Sequence, residues 1–241
     1  MRRNSHLLIA MMAMSCLSTK ERYILYPRWA GIDDGATFSD DFRIMWEADI
    51  LNSNEKVLVH RCYVDSNLNK DHGCSHRTFM YADGAIDFIE KCSNDSVSTS
   101  EEEFLETLGL YLGIICHHIG DLCTPLHVIK NVSTKEMKFK SRKSLHDRME
   151  RDFDKCSLEA LVKLEKAEKV ELSQEYFWEI AKYTHENYST KLPEIYQSKD
   201  SIHQMVSDLL SKAIKHTRDV WHTVLHESKM TDRNWSFQTL V

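Results

Sequence analysis

The chain has 241 residues, enough for one domain with a sizeable core. Hydrophobic residues supply 42% and charged residues 28%, which excludes the low-hydrophobicity, highly charged composition of a disordered chain. A formal net charge of −6 argues against a protein that grips polyanions by broad electrostatics, though metal ions in a site would supply positive charge locally.

With only 7 Gly and 3 Pro, breakers are few, and helices are favoured over many short strands and turns. No apolar run reaches the roughly 18 residues that a membrane span needs. The amino terminus reads Met1-Arg2-Arg3-Asn4-Ser5-His6, then an apolar run over 7–17 with small residues near Ala13 and Ser15. A basic start, a short apolar stretch and small residues form an export-signal pattern. That reading assigns 1–28 to a signal or leader, 29–241 to the folded domain, and the protein to a secreted or periplasmic location. The alternative is a short amphipathic helix opening a cytoplasmic protein.

Gly31 to Asp34 carries turn chemistry, and Thr37 or Ser39 is placed to cap a helix through Phe42, Trp46, Asp49 and Ile50. Residues 57–74 read as an irregular connection containing His60 and Asp65. Residues 77–91 show helical spacing through Phe79, Ala82, Ala85, Ile86 and Ile89. After a polar stretch with Ser98 or Ser100 as a cap, residues 104–119 are apolar nearly all round, as in a helix buried on every side. Residues 128–143 are polar and basic and read as a surface loop. Helix is expected again over about 145–164, 174–189 and 202–225. The expectation is a single all-α domain.

Seven cysteines show no CxxC repeat that would support a thiolate metal site, and their pairing stays open. The last helix bears His222 and His226 on one face, without a partner acid at matching spacing on that helix. Trp46 and Trp221 read as core residues. His118 falls about 100° round the helix from His117, as an outer-sphere or surface group.

The chemistry concentrates between residues 117 and 150. His117 with Asp121, and His146 with Glu150, stand four residues apart, so each pair shares a helix face about 5–6 Å apart, a bite one ion can span. Imidazole and carboxylate are ligands that zinc accepts where sulfur is absent. His127 follows Pro125, which must interrupt the buried helix. A buried helix that ends in His117-His118-Ile119-Gly120-Asp121 has to satisfy those polar groups, and coordination would do so.

Tyr111-Leu112-Gly113 leading into His117 and Gly120-Asp121, then Thr124-Pro125-Leu126-His127 and the His146/Glu150 pair, resembles the zinc-dependent phospholipase C and S1/P1 nuclease superfamily. The resemblance spans about residues 29–225 and is specific only over 111–153. It implies a helical bundle with two to three zinc ions in one cleft. One zinc would be held by Asp49, His60 and His117, and a second by His127, His146 and Glu150. A third would take Asp121 with the amino group and carbonyl of Trp29, which requires a cut after Arg28. The family has a histidine shortly after that tryptophan; here none lies between Trp29 and His60, and Asp33 or Asp34 falls near its place.

The implied reaction is hydrolysis of a phosphodiester, with Asp49 as the catalytic group that orients water or accepts its proton. Glu150 and Thr124-Pro125 resemble the phospholipase version, with a phospholipid substrate and peripheral membrane contact. The alternatives are a single-strand nuclease acting on nucleic acid and a zinc-binding relative without catalysis.

Overall fold

The computed structural model describes residues 3–38, 82–84, 86–87, 101–129, 132, 134–135, 137–155 and 166–232. Among these the architecture is all-α. No described helix is long and apolar enough to cross a membrane.

Helix α1 spans Arg3–Ser15. It presents His6, Ile9, Ala10 and Ala13, all without solvent exposure, on one stripe, at the spacing that one helix face requires. The stripe packs against the long carboxy-terminal helix and two interior ones. The segment read as a leader is therefore built into the core here. Helix α2, Thr19–Leu25, opens with a reciprocal capping box between Ser18 and Glu21, which satisfies two otherwise orphaned amides. A 3₁₀ turn over Tyr26–Arg28 leads into α3, Trp29–Phe38.

Helix α3 corrects the turn expected at Gly31–Asp34. Its glycines are in helix, and no described glycine has positive φ. They serve close approach to α4, Glu101–Leu122. A Cβ at Gly35 would lie 2.4 Å from the Leu110 carbonyl oxygen, and one at Gly113 would lie 2.3 Å from that of Ile32. Gly31 and Gly109 face each other in the same way one turn earlier, so α3 and α4 run parallel with their backbones in contact. A missing side chain reads the same in sequence whether it frees a turn or admits a neighbouring helix.

Helix α4 is the buried helix expected from the apolar run. Leu108, Leu112, Ile115, Ile119 and Leu122 are wholly enclosed. Pro125 does interrupt it, but as the first residue of a short helix α5, Pro125–Val128, where a missing N–H costs nothing. The stretch after it is less open than a surface loop: Met137 is buried, and Ser141 caps α6, Arg142–Asp154, three residues before the expected start. Helices α7 (Gln174–Tyr188), α8 (Leu192–Ile195) and α9 (Lys199–Glu227) follow, and a 3₁₀ turn over Met230–Asp232 closes the described part. Trp221 is fully buried, its indole N–H donating to the Leu112 carbonyl at 3.0 Å, so its reading as core holds. The helices expected through 42–50 and over most of 77–91, with Trp46, lie outside the described residues, apart from short helical pieces at 82–84 and 86–87.

Candidate metal centre

Three helices meet at the carboxy-terminal end of α4. Helix α4 supplies His117 and Asp121 on one face, α1 brings His6 across it, and α5 turns His127 back over Asp121. His6, His117 and Asp121 are all buried, with one donor atom from each within 4.8 Å of the others. The His6 and His117 rings stack with centroids 3.9 Å apart. His127 Nδ1 and His117 Nε2 each stand 3.4 Å from Asp121 Oδ2, and His6 Nε2 is 3.8 Å from Oδ1.

Beyond His127 the run continues outward. Its Nε2 lies 3.0 Å from His146 Nε2, and His146 Nδ1 lies 3.6 Å from Glu150 Oε1. Exposure rises along this line, from about 1% at Asp121 through 14% at His127 to 31% at His146. One end of the cluster is sealed and the other opens to solvent.

The donor set suits a divalent cation for three reasons. First, the His117 Nδ1 contacts the Ala36 carbonyl at 2.8 Å. A carbonyl only accepts, so that nitrogen carries the proton, and Nε2 is the atom turned to the Asp121 carboxylate, where a proton or a metal ion would join the two. Anchoring the distal nitrogen of a ligating histidine is also how metal sites fix ring orientation. Second, neither ring nitrogen of the fully buried His6 has a hydrogen-bond partner among the described residues. Third, the 3.4 Å separations exceed ordinary hydrogen bonds, yet match the edge of a tetrahedron of zinc ligands, about 3.4 Å for bonds near 2.1 Å.

Charge states agree with this. Burial and the neighbouring His117 hold His6 well below its ordinary pKa, so it is a neutral donor. Burial alone would raise Asp121, but His127 and His117 outweigh it and keep the carboxyl well below its usual range. Burial also lowers His146, against the pull of Glu150. His6, Asp121 and His146 are thus in the deprotonated forms that coordinate metal, while the pull on Asp121 is that of positive charge on His127 and His117, whose place a bound cation would take.

Of the residues expected from sequence, His117, Asp121, His127, His146 and Glu150 come together. Asp49 and His60 lie outside the described residues. The structure does not bring Trp29 to the cluster. Its backbone N–H donates within the chain to the Tyr26 carbonyl, and it starts α3 at the level of Gly109. Asp121 is twelve residues further along the parallel α4, about 18 Å along the axis. Asp33 and Asp34, half-buried and exposed on α3, are no part of any described metal-ligand group.

His6 takes the place beside Asp121, a residue the sequence reading passed over as part of a leader. The signal was its position on the His6/Ile9/Ala10/Ala13 stripe. Gly120 belongs to the same arrangement, since a Cβ there would lie 2.8 Å from His6 Nδ1. His118 is fully buried rather than superficial, with its ring edge-on to His117. No family model and no curated protein matches the chain.

Proposed function

We propose that the chain is a zinc-dependent phosphodiester hydrolase, resembling phospholipase C, that acts on phospholipid head groups. The observation that carries the reading is the unbroken line of donors from His6 through Asp121 and His127 to His146 and Glu150, sealed at one end and open at the other. His6, His117 and Asp121 would hold an inner zinc, and His146 with Glu150 and the neighbouring Asp147 an outer one, with His127 standing between the two groups. When bound, such ions neutralise phosphate oxygens and lower the pKa of a coordinated water from its bulk value towards about 7.

The chain's own residues divide the remaining work. Ala36 and α3 hold the His117 ring in its tautomer, and Gly120 leaves the space in which His6 stands against α4. Asp121 supplies buried negative charge to two sides at once, which makes it the natural bridge between inner and outer donors. His146 and Glu150, at the open end, meet the substrate side. Asp49 keeps its proposed part as the group that orients water or accepts its proton. The Glu150 carboxylate, the Thr124-Pro125 pair and the acidic balance favour phospholipid over polynucleotide.

The test sets zinc-loaded protein against phosphatidylcholine vesicles and single-stranded DNA, with and without chelator. His146→Ala is the variant of choice because its half-exposed position spares the core. The expected result is release of phosphorylated head group by the parent, abolished by chelator and reduced at least 100-fold in His146→Ala. DNA cleavage without phospholipid cleavage would move the assignment to the single-strand nucleases. Zinc binding without either activity would leave a non-catalytic zinc protein.

A further inference from the structure

A second group of donors lies away from this cluster, where α2 meets the end of α9. Glu21 sits on α2, and His222 and His226 stand one turn apart on α9. Their donor atoms all lie within 4.8 Å of one another. Glu21 Oε1 is hydrogen-bonded to His222 Nδ1 and lies 3.7 Å from His226 Nε2, with the imidazole centroids 4.2 Å apart.

We infer that Glu21, His222 and His226 form a separate binding site for a zinc-class divalent ion, which pins α2 to the carboxy-terminal end of α9. The aim of each donor is set from behind. Ser18 N–H donates to Glu21 Oε2 at 2.8 Å within the capping box, leaving Oε1 turned towards both histidines. Thr231 Oγ1, on the closing 3₁₀ turn, lies 3.3 Å from His226 Nδ1 and leaves Nε2 facing Glu21. Partners of this kind on the far side of each ligand are what orient metal-binding imidazoles and carboxylates.

A proton alone serves this geometry less well than a metal. One proton joins Glu21 to His222 but leaves His226 Nε2 at 3.7 Å, beyond hydrogen-bond reach. One ion can engage all three atoms when it displaces the proton shared by Glu21 and His222 and parts the two to the separation of zinc ligands. Two imidazoles and one carboxylate suit zinc or its transition-metal neighbours rather than magnesium or calcium, which prefer oxygen. The Glu21 side chain is 3% exposed, His222 20% and His226 42%, so the charged anchor is buried while an ion can enter from solvent. None of the three residues belongs to the cluster around Asp121, and the inference stands whether or not that cluster is an active site.

The test is zinc stoichiometry of the full chain after equilibrium dialysis, with Co²⁺ substitution as a second readout. Glu21→Gln keeps an oxygen to accept the Ser18 N–H while removing the charged ligand. His226→Ala removes a donor from an exposed position. Each variant, its helicity checked by circular dichroism, should bind one zinc fewer per chain than the parent and lose part of the visible Co²⁺ absorption. His146→Ala should keep that equivalent, so failure of the cleft and failure of this site register separately. Equal zinc content and equal Co²⁺ spectra in the parent, Glu21→Gln and His226→Ala would overturn the site.

Discussion

His216 shows how one buried residue writes itself into a pH profile. Its Nδ1 is hydrogen-bonded to the Tyr176 hydroxyl at 2.8 Å, and burial, with Lys215 nearby, pushes its pKa down to about 4. Unfolding returns the ring to about 6.5, so the unfolded chain takes up more protons between the two values. Its contribution is therefore complete above pH 6.5 and is lost as pH falls towards 4, on the order of 3 kcal/mol. In metal-free protein the urea midpoint should drop over that window, and His216→Gln should flatten the drop. A profile as steep in the variant as in the parent would refute the assignment. The same scale explains what could be read of the cluster from sequence. His117 with Asp121 and His146 with Glu150 are legible because a helix makes neighbours of residues four apart. His6 comes from over a hundred residues away, and Glu21 from two hundred residues before His222; no local spacing announces either.

At the scale of elements, the contact between α3 and α4 does the positioning. Four glycines let the two backbones touch, and this brings the Ala36 carbonyl at the end of α3 to the His117 ring. That carbonyl lies in the last turn of its helix, where backbone acceptors have no partner within the helix. Gly113→Ala should force the pair apart, with a cost of about 1–3 kcal/mol for overpacking, and should weaken zinc retention though the residue lies a full turn from His117. Thermal unfolding and zinc content of that variant check both effects together; stability lost with zinc content unchanged would separate helix packing from the site. The apolar run of α4 was legible because its pattern is that of a helix covered on all sides. The fate of Gly31 and Gly35 was not, since close packing depends on a partner that local sequence does not name.

For the molecule as a whole, the notable property is how its amino-terminal helices are used. Helix α1 lines the core with Ile9, Ala10 and Ala13 and delivers His6, while Ser5 Oγ donates to Asp154 Oδ1 at 2.7 Å and ties α1 to the helix carrying His146. Deleting residues 1–17 should strip a ligand and expose apolar faces of α4 and α9 at once. The shortened chain should melt well below the parent, bind less zinc and expose surface that takes up hydrophobic dye. A deletion that leaves melting and zinc content intact would show that the segment supplies neither a ligand nor core packing. An all-α class was legible from composition and periodicity; that the first helix belongs to the core was not, because a short apolar stripe after a basic start fits an export signal equally well.

The proposed hydrolase depends on zinc held by the donors around Asp121. The most direct measurement is elemental analysis of the full chain beside His117→Ala, both dialysed against the same zinc buffer. The variant should hold at least one zinc per chain fewer, with an unfolding midpoint that no longer responds fully to chelator. Equal zinc content in the two proteins would contradict it, whatever activity either shows.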